Sequence, residues 1–117
     1  MTKQEEFETA IDNNDYKKVK LLLADRRGDP AADSNSAIRC ASRNGNTEVV
    51  KLLSSDPSVY PAASANYAIV KASENGHSDV VNLLWKNKKV KETLKNNDLN
   101  LFNSLTQLDI KEKIKSF

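Results

Sequence analysis

Two side chains in this chain of 117 residues have chemistry that could go beyond binding: its one thiol, Cys40, and its one imidazole, His77. A cysteine next to a histidine can become a nucleophile if the imidazole takes its proton, and cysteine and histidine together are the usual ligands of zinc. Only one of each is present, so neither an internal disulfide nor a Cys/His zinc cluster can be assembled, and no metal or cofactor is expected. The three glycines, Gly28, Gly45 and Gly76, stand apart and form no phosphate-cradling loop. A hydrolase using His77 and a carboxylate is the remaining catalytic reading, and it is the weakest. The expectation is a protein that is not an enzyme.

The elements that carry these residues explain their positions better than catalysis does. Residues 41–53 read ASRNGNTEVVKLL and residues 72–84 read ASENGHSDVVNLL, a repeat with a period of 31. Ala10, Ala41 and Ala72 share one phase, Val19, Val50 and Val81 another, and the leucine pairs 21–22, 52–53 and 83–84 a third. Pro30 and Pro61 align, each followed by two alanines, and Asn35, Asn66 and Asn97 also share a phase. Cys40 and His77 therefore sit at repeat positions. Packing between units is the expected role of the first.

Each unit reads as two short helices. In SAIRCASRNG the apolar positions Ala37, Ile38, Cys40 and Ala41 fall on one helical face. Asn44 and Gly45 then stop the helix, because glycine, and to a lesser extent asparagine, accepts left-handed geometry. Thr47 and Ser78 are the expected N-caps of the second helices, where Val49, Val50, Leu52 and Leu53 form the apolar stripe of the first of them. Helices this short are marginal alone, so the units must stack into a line with polar outer faces at the ends. At the N-terminal end Phe7, Ala10 and Ile11 supply the buried side. At the C-terminal end two helices are expected, started by Asp98 and Asp109, burying Leu99, Phe102, Leu105, Leu108, Ile110 and Ile114.

From Ser36, S-A-I-R-C-A-S-R-N-G-N-T-E-V-V-K-L-L, and from Tyr67, Y-A-I-V-K-A-S-E-N-G-H-S-D-V-V-N-L-L, follow the pattern T-P-L-H-x-A-A-x-x-G-H-x-x-V-V-x-x-L-L. On these residues the chain resembles the ankyrin-repeat family over about residues 5–97. Its form is similar to the divergent repeat found in long arrays of protists and large viruses. The match departs where Ala37 and Ala68 replace the proline and Arg39 and Val70 the histidine, so the links between successive turns are expected to be made differently. The resemblance implies an all-α helix-turn-helix solenoid: one domain over 1–117, with repeats at about 5–33, 34–64 and 65–95 and a helical cap at about 96–117. It also implies a non-catalytic protein-binding surface on the concave side, made by the first helices and turn tips, and a structural role for His77.

Residues that differ between equivalent positions are not demanded by the scaffold. On that ground Ser36, Arg39, Arg43, Tyr67 and Glu74 are the expected contacts, with Tyr67, Arg39 and Arg43 having the chemistry of interface anchors. Trp85 stands at the phase of Leu23 and Ser54, and is expected either to pack under the C-terminal cap or to touch a partner.

The formal charge of +2 hides a gradient: 6 Lys/Arg against 8 Asp/Glu in residues 1–33, 4 against 4 in 34–85, and 8 against 4 in 86–117. Lys86, Lys88, Lys89, Lys91 and Lys95 crowd the start of the last segment. A nucleic-acid-binding protein using this basic patch is the alternative function, although the run has one aromatic and no arginine. The leading reading is a small free-standing adaptor or inhibitor that blocks a partner protein. With no apolar run near the ~20 residues of a membrane span and no apolar leader, the expected setting is the cytoplasm, that of a host cell if the source is a virus or pathogen. A monomer is expected.

Overall fold

A computed structural model describes residues 2–26 and 28–115, with side-chain surroundings described through residue 107. Its described residues form eight helices and no strand: α1 (Lys3–Asp12), α2 (Tyr16–Ala24), α3 (Ala32–Asn44), α4 (Thr47–Ser54), α5 (Ala63–Glu74), α6 (Ser78–Trp85), α7 (Lys88–Asn97) and α8 (Leu99–Lys115). The first helices α1, α3, α5 and α7 stack in one layer, and α2, α4 and α6 stack in a second. The result is elongated, 49 × 29 × 24 Å, as expected when each unit covers only its neighbours.

The turn inside each unit is the same device three times. The left-handed position is taken by Asn14 (φ 54°), Gly45 (φ 76°) and Gly76 (φ 75°). The following N–H reaches back five residues, from Asp15 to the Ala10 carbonyl, from Asn46 to Ala41 and from His77 to Ala72, at 2.8–2.9 Å. This is the bond pattern that closes a helix through a left-handed residue. It also places the caps one residue earlier than expected. Asn46 and His77 are the N-cap residues of α4 and α6, and Thr47 and Ser78 are already helical. The back-bond fixes the residue after the glycine outside the helix, so the helix can start only behind it.

A single apolar line runs through the stack. Phe7, Ile11, Val19, Ile38, Val49, Val50, Leu53, Ile69, Val80, Leu84, Val90 and Leu94 are all buried, with Ala10, Ala41 and Ala72 between the close-packed first helices. Small residues at that phase let the helices approach, which is why the alanines repeat.

Successive units are joined by a side-chain amide. Gln4 Oε1 accepts from Asp29 N–H (2.7 Å), and Gln4 Nε2 donates to the Asp29 carbonyl (3.2 Å). One period on, Asn35 Oδ1 accepts from Tyr60 N–H (2.8 Å). These are the altered links that the missing T-P-L-H residues left open. Asn66 holds the next phase but faces α7, where it donates to Thr93 Oγ1 (2.7 Å) and leaves its buried Oδ1 without a hydrogen bond. Asn35 and Asn66 each end a left-handed run of three residues, Asp33–Asn35 and Ser64–Asn66.

At the C-terminal end the repeat phase breaks. Asn87 caps α7 through Lys89 N–H and Val90 N–H, so α7 begins within the lysine run and the boundary expected at 95/96 falls inside it. Asn97, in phase with Asn35 and Asn66, is an exposed helix end instead. Asp98 does start α8, accepting from Leu101 N–H (3.1 Å), but Asp109 starts nothing, because α8 continues through it with no glycine or proline to stop it. Leu105 is buried and Phe102 half-buried as expected, whereas Leu99 is 55% exposed. The side chains of Leu108, Ile110 and Ile114 lie outside the described residues.

Candidate functional site

The outward surface of α3 and α5 gathers most of the residues singled out by their variation. Tyr67, near the start of the right-handed part of α5, is half-buried. Its ring lies 5.4 Å from the Arg39 guanidinium and 5.9 Å from Lys71 Nζ, measured to the ring centroid. Its hydroxyl accepts a 3.4 Å hydrogen bond from Arg43. Lys71 also pairs with Glu74 at 3.0 Å, a hydrogen bond that raises the lysine's pKa. Tyr67 thus joins Arg39, Arg43 and Lys71, and Glu74 is tied in through Lys71, a residue that sequence reasoning passed over. Its signal was its place in the 31-residue phase of Cys40.

Arg39 has a second task. Its Nε and one terminal nitrogen donate to the carbonyls of Ser34 (3.1 Å) and Asp33 (2.9 Å). Those are the left-handed residues, whose conformation costs about 1–2 kcal/mol each in L-amino acids, so Arg39 both braces the turn and flanks Tyr67.

One unit towards the N-terminus, α1 and α3 leave a groove of about 250 Å³ lined by Glu8, Ile11, Asp12, Asp33, Ser36, Ala37 and Cys40. Ser36 lies here, apart from the Tyr67 cluster. Cys40 donates towards Asp12 Oδ1 (3.3 Å). Burial pushes its thiol pKa up, and the Asp12 carboxylate adds to the shift. Such a thiol is a poor source of thiolate at neutral pH, and His77 belongs to another contact.

His77 lies against Gly45, and its Nε2 donates to the Arg43 carbonyl at 3.0 Å, where Asn75 Nδ2 also donates at 3.0 Å. The ring is a staple between the second and third units. Trp85 is 6% exposed, edge-on to Phe102 (centroids 5.6 Å apart, 64° between planes) and with Lys91 Nζ 5.1 Å from its ring. It packs under α8 and presents almost no surface, so its expected role as a partner contact gives way to its expected role in packing.

The basic patch is spread over α7 and the turn before it. Lys91 lies on Trp85, Lys89 faces Glu92 at 3.8 Å, and Lys86, Lys88 and Lys95 are exposed. Among the described residues no group of three His, Cys, Asp or Glu side chains is arranged to hold a metal ion, and no helix is long and apolar enough to cross a membrane.

Comparison with known proteins agrees with this architecture. A family model described as ankyrin repeats matches three copies over residues 7–97. No curated protein and no solved structure matches the chain. Ankyrin repeats are in general protein-binding scaffolds and typically non-catalytic. Three stacked helix-turn-helix units, closed by the same left-handed turn and matched over most of the sequence, make this chain a member of the ankyrin-repeat family.

Proposed function

We propose that this chain is one binding domain, which acts as an adaptor or inhibitor by covering a surface of another protein with the outward face of α3 and α5. The observation that carries the reading is the Tyr67 cluster. An aromatic ring stands half-exposed on a helix face with Arg39, Arg43 and Lys71 around it, and tyrosine and arginine are the residues that dominate protein interfaces. The fold needs Arg39 there, but it does not need exposed Arg43.

The test is affinity capture with the tagged full chain, read by quantitative mass spectrometry beside an Arg43→Ala, Tyr67→Ala double variant. Loss of two anchor residues should lower recovery of the partner by at least about tenfold, from roughly 2 kcal/mol or more per hot spot. The helical circular dichroism should be retained. Equal recovery by the folded double variant would remove this face from the interaction.

A further inference from the structure

The groove between α1 and α3 and the surface between α3 and α5 are the same place in successive units, and their charges are reversed. Moving on by the 31-residue period converts Glu8 into Arg39, Asp12 into Arg43 and Cys40 into Lys71, and replaces Ser36 by Tyr67. Of the floor, Ala37 becomes Ala68 and both are buried, while the buried Ile11 becomes the buried Ser42. Folding accounts for Arg39, which braces the left-handed turn at the start of α3, but it asks for no cation at Arg43 or Lys71, so the inversion at those two positions points to something other than folding. No described residue forms an ion pair with Glu8, Asp12 or Asp33.

We propose that the two places together bind one extended segment of a partner protein, with a lysine or arginine side chain in the α1–α3 groove and an aspartate or glutamate at the Arg43–Tyr67–Lys71 cluster. The proposal rests on the protein-binding reading above and names its ligand. The first groove fits a long cationic side chain in two respects. Ile11 and Ala37 offer an apolar floor for the stem, and Glu8, Asp12 and Asp33 surround it with carboxylates for the head. The second place is occupied by Tyr67, which leaves the cations Arg43 and Lys71 at the surface for a carboxylate.

Spacing follows from packing. Neighbouring packed helices stand about 8–10 Å apart, so equivalent points on successive units are offset by about that distance. A polyproline-type segment rises about 3.1 Å per residue and returns to the same side every three residues. The basic and acidic residues of the partner should therefore stand about three positions apart.

A random peptide library displayed on phage, selected against the full chain, supplies the probe, and the best sequence is then synthesised for fluorescence anisotropy. Selected peptides should pair a basic with an acidic residue at about that spacing. The Glu8→Arg, Asp12→Arg variant installs residues that the next unit already carries at the same positions, and a retained circular-dichroism spectrum checks its fold. It should weaken the synthetic peptide at least about tenfold, as like charges are brought together. Changing the peptide's basic residue to glutamate should restore the affinity. Arg43→Asp, which installs the residue of the preceding unit, should be rescued by changing the peptide's acidic residue to lysine.

Selection of peptides without the charge pair, or affinity indifferent to both variants, overturns the proposal. So does an empty selection, while the affinity capture described above still decides whether the chain binds a folded protein. Self-association of the chain that the Glu8→Arg, Asp12→Arg variant abolishes would assign the groove to a second copy and equally overturn it.

Discussion

Gly45 and Gly76 have nearly the same backbone conformation, φ 76° and 75°, yet alanine should not cost the same at each. A methyl group added at Gly76 meets no atom within 4 Å, whereas at Gly45 it would stand 2.6 Å from His77 Nδ1, 2.7 Å from Cε1 and 2.8 Å from Cγ. Gly76→Ala therefore reports the left-handed conformation alone, about 1–2 kcal/mol. Gly45→Ala adds displacement of the His77 ring and loss of its bond to the Arg43 carbonyl, worth about 0.5–1.5 kcal/mol net. The lower half of that range applies, because Asn75 Nδ2 still satisfies the same carbonyl. The expected costs are about 1–2 kcal/mol for Gly76→Ala and about 1.5–3 kcal/mol for Gly45→Ala. Urea unfolding followed by circular dichroism measures both. Adding His77→Ala completes a cycle: in that background Gly45→Ala should fall back to the cost seen at Gly76, a coupling of about 0.5–1 kcal/mol. Equal costs at the two glycines, or no coupling to His77, would refute the stapling role assigned to the ring.

Two further substitution and pH effects can be stated from the same geometry. Ser42 is fully buried and its hydroxyl has no hydrogen-bond partner, so Ser42→Ala should stabilise the chain by about 1 kcal/mol. Isoleucine already occupies the equivalent position 11, and a lowered melting temperature would contradict the assignment. Burial and Asp12 raise the folded Cys40 pKa above the ordinary thiol value of 9.0, so the thiol's contribution to stability is complete below that value and declines as pH rises through the folded one. Alkylation by iodoacetamide should accordingly lag that of the urea-unfolded chain around pH 9, and identical rates in the two states would show that the thiol is not shielded.

How much of this was legible in the sequence depended on whether a feature obeyed the period. The core alanines, valines and leucines recur, and so do Gly45 and Gly76, so the units and their turns could be read directly. Asn14 in the glycine's place was the harder case, solved by asparagine's tolerance of positive φ. The amide links were hidden because the first is a glutamine and the others asparagines, and because the carbonyl and N–H groups they serve have no letter of their own. Helix α7 was concealed by its lysines, since Val90 and Leu94 are the only residues it buries. The left-handed runs had no signal beyond their final asparagine, as aspartate, serine and alanine at Asp33, Ser34, Ser64 and Ala65 seldom hold that conformation in sequence. For the candidate site, variation between equivalent positions found Arg39, Arg43, Tyr67 and Glu74, but it was not carried to Glu8 and Lys71. Trp85 varies for a different reason, because its neighbour is the cap rather than another repeat.

The unpaired oxygen of Asn66 says something about length. Gln4 and Asn35 each receive an N–H from the loop that leads into the following unit, and Asn66 receives none because α7 arrives where that loop would be. The carbonyl group is thus a socket kept open at the growing end of a polymer. A duplicate of residues 57–87 spliced ahead of α7 would bring a second Tyr60 N–H to it, and would reproduce the same vacancy one unit further along. The repeat gives way here to the α7–α8 pair, and longer arrays should be obtainable by copying that 31-residue length alone.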